Sequence, residues 1–190
     1  MTASLAFAAA EPSPAPATRS GRPFVGREPE IEALESCLRT ASAGRGQLVA
    51  VVGEAGIGKT RTVEELLARA ALPADRVLWG RCPEEEGVPA YRPWSQAIQS
   101  YVERCDPAAL RAVLGRAASE VARLVPGVRE RLPDVRDVRA PEPAHSRFPI
   151  FDGVTVFLQR LAARDAHVLV LDDLHWADDG TMLLLGHVVP

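Results

Sequence analysis

Lysine is almost missing from this chain: of its 22 basic residues one, Lys59, is a lysine and the rest are arginines. A sequence that uses arginine by default keeps lysine where a compact, mobile ammonium is needed. Cysteine is scarce too. Cys37, Cys82 and Cys105 are odd in number and widely spaced, which argues against a disulfide framework or a zinc site and for buried thiols in a reducing cytoplasm. No apolar run approaches the length of a bilayer span, so no membrane contact is expected. Excess positive charge is lacking as well: the formal net charge is -3, which gives no electrostatic case for nucleic-acid contact by this segment. There is no internal repeat. Residues 1–22 are rich in Ala, Pro and Ser, and the short apolar stretch from Leu5 to Ala10 has no basic residues before it. They read as a disordered tail rather than a secretory leader. What remains is 47% hydrophobic and 25% charged, the make-up of one globular domain of ordinary size.

Lys59 lies within Gly53, Glu54, Ala55, Gly56, Ile57, Gly58, Lys59 and Thr60, a phosphate-binding loop of the form G-x-x-x-x-G-K-[ST]. Residues 47–52 form a nearly continuous apolar run rich in valine, the pattern of a strand buried on both faces. After the loop, Val63, Leu66, Leu67 and Ala70 recur at helical spacing. In such a strand–loop–helix unit the glycines let backbone N–H groups turn towards phosphate, and the helix N-terminus adds a favourable dipole. Lys59 would reach the β- and γ-phosphates, Thr60 would offer a hydroxyl to Mg²⁺, and Arg61 closes the candidate loop. The bland alternative is a glycine-rich turn with no ligand.

Elsewhere the pattern predicts a helix over 29–43, a strand over 76–80 and a loop to Tyr91 that includes Glu84, Glu85 and Glu86. Pro93 opens a further helix carrying Trp94, Ile98, Tyr101 and Val102. Pro107 starts another, with Leu110, Val113, Leu114, Ala117, Val121 and Leu124 on one continuous face. Residues 126–147 are dominated by Pro, Arg, Asp and Glu with no apolar period, and read as a solvated, mobile insertion. A helix over 148–164 follows. A strand over 167–173 then ends in Asp172 and Asp173.

At the C-terminal end of a parallel strand, two carboxylates would face the same crevice as the P-loop. Asp172 would hold Mg²⁺ through its water shell, opposite Thr60, and Asp173 would orient and polarise the water that attacks the γ-phosphate, with Lys59 and Asp173 as the catalytic pair. The alternative is that both acids merely cap the next helix.

Taken together, Phe24-Val25-Gly26-Arg27-Glu28, the loop from Gly53 to Thr60, Gly80-Arg81-Cys82, and the run from Asp172 and Asp173 through Leu174, His175, Trp176 and Ala177 to Asp178 resemble the AAA-related, signal-transducing STAND ATPases. The likeness is to the ATPase module of large LuxR-type transcriptional regulators and some adenylate cyclases. It implies an α/β, three-layer P-loop NTPase core with a parallel sheet over residues 23–190. It also implies Val25 and Gly26 near the adenine ring, ATP with Mg²⁺ as ligand, a cytoplasmic location and nucleotide-dependent self-association. His175 and Trp176 match the family string without a mechanism for either; packing is the expectation for Trp176, helix capping for Asp178 and solvent for Arg81.

In that family a strand carrying a sensor residue lies between the P-loop strand and the acidic strand, and it would follow Pro190. The resemblance therefore implies a core truncated before the sensor strand, a missing C-terminal portion as partner, and a gap in the sheet. The expected function is a slowly hydrolysing switch module of a bacterial regulator. Alternatives are a non-catalytic nucleotide- or partner-binding remnant and a small-molecule phosphotransferase that uses the arginines of 129–147.

Overall fold

A computed structural model describes residues 24, 26–85, 87–136 and 147–189. The expected tail over 1–22, Val25, Glu86 and the 137–146 part of the insertion lie outside the described residues.

The fold is α/β with a small parallel sheet. Its two strands, β1 (Val77–Arg81) and β2 (Val168–Asp172), run parallel in a register that pairs Val77 with Val168 and Arg81 with Asp172. The ladder extends one step further through the Cys82 N–H, which donates to the Asp172 carbonyl at 2.9 Å. Between these strands the chain builds most of its helices: α3 (Arg92–Arg104), α4 (Pro107–Leu114), α5 (Ala118–Leu124), α6 (Gly127–Arg131) and α7 (Arg147–Ala162). Helix α8 (Asp179–Val188) follows β2, and α1 (Glu28–Ser42) and α2 (Lys59–Ala70) precede β1.

The core sits under the sheet, where α3 packs against β1 and β2 and is backed by α4 to α8. Trp94, Ile98, Leu110, Leu114, Phe157 and Leu184 are among its fully buried side chains. Burying each such residue favours folding by about 1.5–3 kcal/mol. The Trp94 indole N–H donates to the Thr181 carbonyl at 3.2 Å, which ties α3 to α8. Gly80 explains how α3 comes so close: a Cβ there would stand 1.8 Å from the Pro93 carbonyl oxygen, so only glycine fits. At α4, Pro107 occupies the first turn and the Asp106 carboxylate accepts from the Ala108 and Ala109 N–H groups, a cap worth about 1 kcal/mol.

Four expectations change. Residues 47–52 form no hydrogen-bonded strand, and Leu48 and Val52 are 66% and 88% exposed; β-branched composition makes a segment fit for a strand, but a ladder needs a neighbour in register. The helix expected from Pro107 through Leu124 breaks at Gly115 (φ +50°), where a 3₁₀ turn separates α4 from α5. Residues 126–135 are not merely solvated: α6 forms, with Val125, Val128 and Leu132 buried in the core. Trp176 is not packed away, being 47% exposed with its ring beside that of His175.

Candidate nucleotide site

The loop from Gly53 to Thr60 is shaped by its glycines and by its own polar groups. Gly56 and Gly58 take positive φ angles of 75° and 97°, a region that a side chain disfavours. Gly58 is thereby the residue from which α2 starts. Thr62 secures that start: its backbone N–H and its buried hydroxyl both donate to the Gly58 carbonyl, at 2.9 and 3.0 Å. The Lys59 ammonium folds back over the loop and donates to the Gly53 and Glu54 carbonyls, each at 3.0 Å. Arg27 reaches in from just before α1 and donates to the Ile57 carbonyl at 2.7 Å. Glu54, Ala55, Gly56 and Ile57 are exposed, Arg61 is half-buried, and Gly26 is exposed with a φ of 82°.

The end of β2 meets this loop. The Thr60 hydroxyl lies 3.1 and 3.2 Å from the two carboxylate oxygens of Asp172, bridging 112 positions of sequence. The Asp172 side chain is only 11% exposed. Its Oδ1 also accepts from the Asp173 N–H at 3.1 Å, and Asp173 itself adopts a left-handed conformation (φ +57°). Such a conformation is uncommon outside glycine, although Asp tolerates it better than most residues.

Arg81 completes the cluster. The β1–β2 register sets it beside Asp172, and its Nη2 and Nε lie 2.8 and 3.2 Å from Asp172 Oδ2. Its Nε is also 3.6 Å from Asp173. The hydrogen bond to Asp172 raises the Arg81 pKa above its ordinary value, against the opposing effect of burial. Arg81 is thus an ion-pair partner and not the purely solvated side chain expected. Nearby, the Cys82 thiol is pushed up to about 11, first by burial and then by the charges of Asp178, Asp173 and Asp172. Asp178 caps α8, accepting from the Thr181 N–H and hydroxyl at 2.9 and 2.6 Å and from the Tyr91 N–H at 3.2 Å. Burial alone would raise its pKa, but these hydrogen bonds bring it below the usual carboxylate value.

A divalent cation suits these donors. A hydroxyl that gives its single hydrogen to a carboxylate keeps lone pairs free for a metal. One hydroxyl and one carboxylate form the sparse oxygen set that Mg²⁺ takes when phosphate and water supply the remainder. Among the described residues no group of three or more His, Cys, Asp or Glu could hold a metal unaided, so the cation would come with its phosphates.

The structure brings Thr60 and Asp172 into contact, and adds two partners that the sequence did not lead one to expect, Arg27 on the loop and Arg81 on Asp172. The second was within reach, since two parallel strands that end at the same level set Arg81 beside Asp172. Among the described residues, no helix is long and apolar enough to cross a membrane.

A family model described as an AAA ATPase domain matches residues 23–189. The chain is also similar to an uncharacterized protein of Rhizobium meliloti (strain 1021), 25% identical over 189 residues. That alignment covers 88% of this chain and 17% of the relative, so the chain spans a small part of that protein's length. No solved structure matches the chain.

Proposed function

We propose, from the premise that this chain belongs to the AAA ATPase domain family, that it is a Mg²⁺-dependent ATP switch of a bacterial signalling or transcriptional regulator in the cytoplasm. The observation that carries this reading is the contact of the Thr60 hydroxyl with both carboxylate oxygens of Asp172. It joins the phosphate-binding loop to the acidic strand end at the place where a metal-bound triphosphate would need both.

In this reading Lys59 leaves the Gly53 and Glu54 carbonyls and turns its ammonium to the β- and γ-phosphates. The N–H groups of the loop and of the first turn of α2 face the anion, helped by the helix dipole. Thr60 and Asp172 would hold Mg²⁺, which neutralises charge building up between the phosphates. Asp173 orients a water at the γ-phosphate and takes its proton. Hydrolysis in this reading is slow, as suits a switch. Val25 and Gly26 line the adenine side, and nucleotide state is relayed to other parts of the regulator and to self-association.

Two substitutions test the assignment. Lys59→Ala is expected to weaken ATP binding roughly 30-fold, the equivalent of about 2 kcal/mol for a charge-assisted contact, and equal affinity would overturn the loop's role. Asp173→Asn is expected to keep ATP binding and abolish phosphate release; unchanged turnover would remove Asp173 from the chemistry. A second reading, binding without turnover, draws on the exposed, unpaired state of residues 47–52 behind the loop. Retention of labelled ATP with no phosphate release by the unaltered protein would favour it.

A further inference from the structure

The cluster at the strand ends already contains a cation. Asp172 Oδ2 accepts two N–H groups from the Arg81 guanidinium, at 2.8 and 3.2 Å, while Thr60 lies against both oxygens and the Asp173 N–H against Oδ1. Both carboxylate oxygens of Asp172 are therefore in contact with protein donors. Of these donors Thr60 is compatible with a bound cation, because its oxygen can serve carboxylate and metal at once. Arg81 is not, because a guanidinium has donors only and repels a second positive charge on the same oxygen.

The backbone of Arg81 is held on both sides. Its N–H donates to Gln96 Oε1 at 3.0 Å and the next N–H, of Cys82, donates to the Asp172 carbonyl at 2.9 Å. The Arg81 side chain is nonetheless 54% exposed. A fixed Cα with a side chain open to solvent is a hinge: the guanidinium can leave Asp172 without disturbing the sheet. Asp173, 3.6 Å from Nε, stands next to it as an alternative partner.

We propose that Arg81 is a placeholder cation that occupies Asp172 in the nucleotide-free protein and must yield it to Mg²⁺, so that Arg81 sets how strongly nucleotide binding depends on Mg²⁺. The proposal rests on the nucleotide reading above. The placeholder spares Asp172 from being a nearly buried, unpaired carboxylate. It also penalises cation binding, because Mg²⁺ has to break a two-pronged ion pair to coordinate.

Calorimetric titration with ADP, in EDTA and in excess Mg²⁺, tests this without any turnover. The quantity to compare is the ratio of the dissociation constant in EDTA to that in Mg²⁺. Removing a competitor strengthens Mg²⁺ binding, so Arg81→Gln is expected to raise this ratio about tenfold, the scale of one charge-assisted contact. Arg81→Lys keeps the charge but loses the forked geometry and is expected to raise it by less. A merely structural role would weaken ADP binding equally in both conditions and leave the ratio unchanged; that result overturns the proposal. If Arg81→Gln fails to fold by circular dichroism, a ratio for Arg81→Lys equal to or below the unaltered value overturns it as well. Lys59→Ala separates the two layers of argument. Loss of ADP binding by that variant, with no change of ratio in Arg81→Gln, sinks the placeholder and spares the nucleotide site. Failure of the unaltered protein to bind ADP sinks both.

Discussion

The two halves of this molecule are held together by different means. From β1 onward, α3 to α8 enclose one apolar core in which Trp94, Phe157, Leu114 and Leu184 leave no surface to water. From Gly26 to Ala70, no residue joins that core among the described residues; α1 packs chiefly on α2, and Ile31 and Leu66 supply the buried apolar contacts. Polar contacts carry much of the order there: Arg27 on Ile57, Lys59 on the loop carbonyls, and Thr60 on Asp172. Packing makes the part from β1 onward resistant to change. The part from Gly26 to Ala70 is arranged by hydrogen bonds that a ligand can replace, and such low-stability regions are where binding segments are found.

The contrast breaks most visibly in stability. Trp94→Ala removes a fully buried indole and its bond to Thr181, and is expected to cost about 3–5 kcal/mol in urea denaturation. Leu48→Ser, on the exposed side of the loop half, is expected to stay within about 0.5 kcal/mol. A loss at position 48 comparable to that at 94 would mean that residues 47–52 are covered in solution and that the halves do not differ as described. Gly80→Ala is the next largest effect. Its Cβ would run into the Pro93 backbone, and about 1–3 kcal/mol or more of overpacking cost is expected, read from the same denaturation curves.

A smaller effect than that at Gly80 is expected within the packed part, where Asp178 caps α8. Its carboxyl is depressed in the folded protein by hydrogen bonds from Thr181 and Tyr91, against the effect of burial. A depressed carboxylate contributes stability that is present above its unfolded pKa of about 3.9 and is lost as pH falls through the folded value. Asp178→Asn is therefore expected to lower the melting temperature near pH 7 by the worth of the charge alone, since Asn caps a helix about as well as Asp. The variant and the unaltered protein should converge in acid below both values. A gap that persists or widens in acid would show that the charge is not what the cap uses.

Much of the site was legible because its chemistry is written in spacing. The loop around Lys59 and the acids after a short apolar strand imply a parallel α/β arrangement, and the Thr60–Asp172 contact follows from that topology. Less legible were features decided by a neighbour. The valines of 47–52 match a strand, yet nothing in their own sequence states whether a partner lies alongside. The apolar face that joins Val125, Val128 and Leu132 was present at helical spacing but hidden among Pro and Arg. Gly115 gave a local signal for a break that the surrounding apolar face overrode. Trp176 shows the reverse error: a large indole was expected inside, although its place beside the acidic turn keeps it at the surface.

The parallel pairing of β1 with β2 also implies an order of events during folding. Tight turns can join antiparallel strands early, but these two are connected only through α3 to α7. Closing so long a connection is entropically costly until the helices have condensed it. Arg81, Asp172 and the Thr60 bridge are therefore expected to come into register only after the helical assembly has formed, so that competence for ligand would arrive at the end of folding, as a report that the rest is in place.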